Sequence, residues 1–237
     1  DYYIGPKEFD RISRVGENTE ESMQFGFFGA IAKLLLTMMN AFYSFTHNYG
    51  VSIILLTVAI KILFLPINLM SSRSMKRMSM LQVPMKAVNE KFADNPTKKQ
   101  QLMMELYKVN KVNPVAGCLP MVIQIPIFFG LFYMLRSAAE LRLAEFMWIP
   151  DLSMQEGIFT LPFTIPFMGD QFNALPFVYL VSMVIQMGMM PTPSVDNAQV
   201  KMMKFMPYVF FPVIYSFASG LVLYWTINNV FTIGQQW

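Results

Sequence analysis

The chain has 237 residues, of which 54% are hydrophobic and only 14% charged, with a formal net charge of +3. Soluble domains carry roughly 25% charged residues, so a chain this poor in charge needs lipid around it. With one cysteine (Cys118) and one histidine (His47), an internal disulfide and a Cys/His zinc site within the chain are both excluded.

In chain order, residues 1–22 are polar and broken by Gly5-Pro6 and Gly16. They read as the end of an upstream domain outside the membrane, plus a linker. Residues 23–47 carry an apolar run interrupted by Lys33, Thr37, Asn40, Ser44 and His47 at steps of four, three, four and three. A polar stripe at helical period predicts an amphipathic helix lying in the membrane interface. A sixth span with a polar seam is the other reading. Five spans follow, within a core over 48–237. They are expected over residues 49–70, 114–135, 175–190, 205–217 and 221–233, with Ser219-Gly220 breaking the last two apart. The fourth is short against the roughly 20 residues a helix needs to cross a bilayer.

Between the first two spans, residues 71–113 hold Arg73, Lys76, Arg77, Lys86, Lys91, Lys98, Lys99, Lys108 and Lys111 against Glu90, Asp94 and Glu105. Met78, Leu81, Met85, Val88 and Phe92 fall on one helical stripe, and Leu102, Leu106 and Val109 on another. Asp94-Asn95-Pro96 stops one helix and starts the next, with Asn95 as N-cap and Pro96 at the first helical position. The segment therefore predicts a helical hairpin. Its basic excess places it in the cytoplasm, with the loop carrying Lys201 and Lys204. Residues 138–173 carry Glu140, Glu145, Asp151, Glu156 and Asp170 against Arg142 alone and face outside. Five spans then put residue 1 outside and Trp237 inside.

The polar residues within the spans are the candidate site. Lys61 lies between Ile60 and Ile62, where a lysine costs roughly 2.5–3.5 kcal/mol to insert. Thr57 precedes it by one turn. Gln124 belongs to the second span, Ser182 and Gln186 to the third, and Thr226, Asn228 and Asn229 to the fifth. No span supplies a carboxylate to Lys61. Its ammonium either snorkels to the cytoplasmic headgroups or faces a hydrated cavity. Asn68 and Ser71 put that boundary about 10–15 Å away along a straight helix, which favours the cavity. The prolines of the spans (Pro66, Pro114, Pro120, Pro126, Pro207, Pro212) read as kinks or hinges. The 22 methionines suit both ordinary packing and contact with many apolar partners. No phosphate loop, histidine–carboxylate cluster or activated nucleophile points to catalysis, and no cofactor or metal is expected. Charge confined to loops beside apolar spans argues against nucleic-acid specificity.

Several runs resemble the YidC insertase family. Gly50-Val51-Ser52-Ile53-Ile54-Leu55-Leu56-Thr57 with Lys61 is similar to its first core span. Lys108-Val109-Asn110-Lys111-Val112-Asn113-Pro114, Gly117-Cys118-Leu119-Pro120 and Gln124-Ile125-Pro126-Ile127-Phe128 resemble the approach to its second. Tyr133-Met134-Leu135-Arg136 and Glu140-Leu141-Arg142 continue that match, and Ser219-Gly220-Leu221-Val222-Leu223-Tyr224-Trp225 resembles the start of its last. Tyr2-Tyr3-Ile4-Gly5-Pro6-Lys7 is similar to the final strand of its large periplasmic domain.

The resemblance implies an all-α membrane fold. Its five-helix core encloses a hydrophilic groove open to cytoplasm and lipid and closed on the far side. Lys61, Thr57, Gln124, Ser182, Gln186, Tyr224, Trp225 and Asn228 are the expected groove residues. Incoming segments would slide along 114–135 and 205–217, and the hairpin would guard the entrance. The implied task is insertion of newly made proteins into the bacterial inner membrane, with nascent membrane proteins, the lipid bilayer, the ribosome and the Sec translocon as partners. The family more often has arginine at the position of Lys61, and a lysine, unlike arginine, can lose its proton when desolvated. A small-solute or ion transporter with Lys61 as counter-charge is the alternative, although no internal repeat of the transporter kind is visible.

Overall fold

The computed structural model describes residues 28–92, 95–113, 119–166, 168–189 and 198–236. The expectations for residues 1–22, Asp94, Pro114, Gly117 and Cys118, and for the side chains of Lys201 and Lys204, lie outside the described residues. The helices are α1 (Gly29–Thr46), α2 (Tyr49–Leu63), α3 (Leu65–Met80), α4 (Gln82–Lys91), α5 (Pro96–Val109), α6 (Leu119–Ser137), α7 (Leu175–Met189), α8 (Ala198–Tyr215) and α9 (Ser219–Gln236).

α9 is the hub, packed on α7, α2 and α6, while α1 closes over α2 and α6 and α8 leans on α7. Tyr224, Leu221 and Val222 of α9 meet Ile53 and Leu56 of α2, Leu131 and Met134 of α6 and Leu36 and Met39 of α1 in one buried core. α1 therefore turns its Ala32, Leu35, Leu36 and Met39 face inward and leaves Thr37, Ser44 and His47 of its polar stripe exposed. It ends at His47 in the left-handed conformation, and Asn48 restarts the chain by accepting from the Val51 N–H at 3.0 Å.

The first apolar segment is not one straight helix. It breaks at Phe64, with α2 and α3 bent by 62°. Pro66 in the first turn of α3 has no N–H for the Ile62 carbonyl, so the ladder cannot run through. α3 then crosses beside α6 and carries on to Met80, past the boundary expected at residue 71. Among the described residues, only Leu119–Arg136 is by itself long and apolar enough to cross a membrane, and α2 with α3 qualifies only as a bent pair. Leu175–Met189 and Phe205–Tyr215 are shorter apolar helices.

The hairpin forms as the pattern requires. The Asn95 side chain accepts from the Lys98 N–H at 3.1 Å, and Pro96 opens α5. Leu81, Met85 and Val112 form its small core with Met78, Met103, Leu106 and Tyr107. That burial raises the Tyr107 phenol above its ordinary pKa. Val109, expected on the inner stripe, is exposed because the helix ends there and Lys111 turns into positive φ.

The fold is all-α apart from one short element: within 138–173, β1 (Phe159–Ile165) pairs antiparallel with β2 (Gly169–Phe172). Phe159, Leu161, Phe163 and Ile165 alternate with Thr160, Pro162 and Thr164, which is a strand's period of two. The break before α9 also falls earlier than Ser219-Gly220. Those two residues form its first turn, and their N–H groups donate to the carbonyls of Met154 (2.7 Å) and Leu152 (2.9 Å).

Candidate functional site

Where α3 swings away from α2, the helices leave a cavity of about 260 Å³. Its walls are Ile60, Lys61 and Phe64 at the end of α2, Asn68, Ser71, Ser72 and Met75 of α3, Pro120, Met121, Ile123, Gln124 and Ile127 of α6, Gln186 of α7, and Asn228, Thr232 and Gln235 near the end of α9. No acidic residue lines it. The Lys61 ammonium donates to Thr232 Oγ1 at 2.7 Å, and that hydroxyl donates to the Asn228 carbonyl at 2.7 Å. Among the described residues Lys61 forms no ion pair. Ser71 Oγ and Gln235 Nε2 are also buried without a hydrogen-bond partner among the described residues. A cation and two unsatisfied polar atoms lining one cavity favour water, or polar groups of a ligand, inside it.

A second hollow of about 390 Å³ adjoins the first and shares Met121 and Gln124 with it. Here the walls are apolar: Ile125 and Phe128 of α6, Tyr179 and Met183 of α7, Met206, Phe210, Val213 and Ile214 of α8, then Phe217 and Trp225. Trp225 stacks on Phe128 at 5.4 Å and meets Phe217 edge-on at 5.6 Å, which fixes a rigid aromatic floor. The polar cavity and the apolar recess thus lie side by side, with Gln124 at the seam. Its Nε2 donates to the fully buried Tyr224 hydroxyl at 2.7 Å.

Of the residues singled out in the sequence, Lys61, Gln124, Gln186 and Asn228 meet in the polar cavity, and Trp225 lies in the recess. Thr57, Ser182 and Tyr224 reach neither wall. Thr57 is buried one turn above Lys61, and its hydroxyl donates back to the Ile53 carbonyl at 2.7 Å. Ser182 accepts from Asn229 Nδ2 at 3.2 Å in the α7–α9 contact. The nine basic residues of the hairpin region sit apart from both hollows. Thr232 and Gln235 were missed, although they follow Asn228 at steps of four and three, a polar stripe at helical period. Asn68 and Ser71, read as a distant boundary, are brought to the cavity by the bend at Phe64.

Comparison with known proteins adds the decisive observation: the family model described as 60Kd inner membrane protein matches residues 41–237. The chain belongs to the 60Kd inner membrane protein family. Relatives include "Membrane protein insertase YidC" of Oleidesulfovibrio alaskensis, 42% identical over all of this chain and 43% of its own length. The protein of the same name from Geotalea daltonii is 43% identical over 99% of this chain and 42% of its length. The chain therefore spans less than half the length of these curated relatives. Among solved structures, an active YidC insertase crystal structure with its first transmembrane domain resolved has the same fold. The TM-score is 0.65 at 24% identity, over 90% of this chain and 47% of that one. Family membership places the chain among bacterial inner membrane proteins.

Proposed function

We propose that this chain is the core of a membrane protein insertase, which receives a client's polar flank in the Lys61 cavity and its apolar segment in the adjoining recess. The observation that carries this reading is the pairing of the two hollows across Gln124: one holds a cation with no ion-pair partner among the described residues, and the other is walled, beyond Gln124, by apolar and aromatic side chains. A client crossing a bilayer has the same two parts. The insertase names of the relatives support the assignment.

In this reading α2, α6, α7, α8 and α9 cross the membrane and α1 lies in its interface. Residues 71–113 face the cytoplasm and residues 138–173 face outside. Insertion needs no covalent chemistry. Polar groups of the cavity replace water lost by the flank, Lys61 draws acidic flanks, and burial of the client's apolar surface in lipid drives the step at roughly 25 cal/mol per Å². The ribosome and the Sec translocon are the partners expected at the cytoplasmic side.

The test uses the full-length protein in liposomes and a short single-span client, scored by protease protection of its flank. A charge pair in a wet cavity contributes about 1 kcal/mol, so Lys61→Ala should lower protection of an acidic flank about fivefold. Lys61→Glu should lower it further and leave a neutral flank nearly unchanged. Equal losses for both flanks would remove the charge role, and protection no better than empty liposomes would overturn the insertase reading.

A further inference from the structure

The segment between α6 and α7 places aliphatic side chains where turns normally carry glycine, asparagine or aspartate. Leu143 and Met147 both have positive φ (58° and 53°), and they are 83% and 77% exposed. A non-glycine residue in that conformation is disfavoured, and an exposed aliphatic side chain gains nothing from water in return. A third apolar tip stands on the ribbon. The pairs Thr160↔Gln171 and Ile165↔Gly169 leave residues 161–164 of β1 opposite Asp170 alone, so the strand bulges out of register there. Phe163, in that bulge, is 61% exposed. A lone two-stranded ribbon is marginal in water and needs a cover for its apolar residues.

The surroundings indicate which cover. Phe159 of β1 stacks on Phe172 of β2 at 4.8 Å, and Phe172 stacks on Phe177 of α7 at 5.8 Å. Phe177 begins the outward stripe of α7 that continues through Val181 to Ile185, all exposed. An unbroken apolar surface therefore runs from α7 onto the ribbon, and the medium that covers one covers the other. Next to Met147, the half-exposed Trp148 has its indole N–H held by Glu156, which presents the ring as membrane-interface tryptophans are presented.

We propose that the outer segment is an interfacial anchor, with Leu143, Met147 and Phe163 seated in the headgroup–acyl boundary of the outer leaflet. The proposal rests on the reading that α7 crosses the membrane. The anchor fixes the depth and tilt of the helical body, and with them the depth of the Lys61 cavity.

Nitroxide labels test this at Phe163→Cys, Met147→Cys, Thr164→Cys and, as a marker of the span, Val181→Cys. Each is placed in the full-length protein otherwise free of cysteine, in phosphatidylethanolamine–phosphatidylglycerol liposomes. Collisions with apolar oxygen should exceed those with a polar nickel chelate at 163 and 147, with the reverse at 164 and the deepest reading at 181. Nickel collisions dominating at both 163 and 147 while 181 stays in lipid would overturn the anchor and keep the span. Protection of 163 and 147 from both reagents would mean a protein cover, and would overturn it as well. Nickel access at 181 would instead overturn the spanning reading on which it rests.

Discussion

The acidic segment 138–173 and the basic hairpin 71–113 are both polar stretches between apolar helices, yet they are held in different ways. Glu156 of the acidic segment is buried, accepts from the Trp148 indole, and accepts from the Leu175 N–H at 2.7 Å, where α7 begins. The Asn173 side-chain oxygen accepts from the Gly157 N–H at 2.8 Å, its backbone N–H donates to the Tyr215 hydroxyl at 2.9 Å, and its Nδ2 donates to the Tyr215 carbonyl at 3.2 Å. Met154 and Leu152 take the first N–H groups of α9. The segment is thus the shared cap of α7, α8 and α9. The hairpin has a core of three buried residues, and among the described residues its charged side chains are exposed except for the half-buried Lys99. Its contact with the body runs through α3 and α6. Glu156 at one end acts singly, through its own hydrogen bonds, while the exposed basic residues of the hairpin act through their summed field.

The largest effect that can break this comparison is at Glu156. Glu156→Ala removes a charged acceptor from two donors, the part-buried Trp148 indole and the buried Leu175 N–H at the positive end of α7. It should cost about 3 kcal/mol and lower the thermal midpoint in detergent. Glu156→Gln keeps an acceptor oxygen and should cost clearly less. If Glu156→Ala melted like the parent protein, the cap would be an ornament on a self-sufficient bundle.

Next comes Leu81→Ala, which empties a third of the hairpin's core. A loss of about 2 kcal/mol is expected, confined to the hairpin. Hydrogen exchange should speed up across α4 and α5 and stay unchanged in α6 and α7. A matching loss of protection in α6 would show that the hairpin and body form one cooperative unit, and the contrast would fail.

The contrast also explains what was legible in the sequence. The hairpin turn at Asn95-Pro96 was, because capping chemistry is local. Lys61 was, because one ammonium in an apolar run has no cheap alternative. The bend at Phe64 was not: Pro66 marks a weak point, but the direction of α3 depends on its packing against α6, which no local pattern contains. For the same reason Thr57, on the face of Lys61 by period, lies in the core, while Asn68 lies in the cavity. In residues 138–173 the acidic residues counted only towards topology. A buried Glu156 and a solvated Glu145 look alike in a sequence, and the alternating apolar residues of β1 passed unread beneath the charge count.

The smallest expected effect sharpens the comparison from the hairpin side. Lys86 and Glu90 lie one helical turn apart with 3.9 Å between ammonium and carboxylate, and both are exposed. Such a pair is screened by water and salt and is offset by the cost of ordering two long side chains, so Lys86→Gln should change hairpin stability by less than about 0.5 kcal/mol. On the proposed topology the same substitution removes one of nine positive charges facing an anionic leaflet, where each is worth up to about 1 kcal/mol of attraction near the surface. Hydrogen exchange of α4 should therefore be unchanged. Contact of the hairpin with phosphatidylglycerol vesicles should weaken slightly, and that loss should vanish at high salt, where the Debye length falls to about 3 Å. A salt-independent loss, or a stability change as large as that of Leu81→Ala, would mean that Lys86 holds the hairpin through a specific contact, as Glu156 holds the cap of α7.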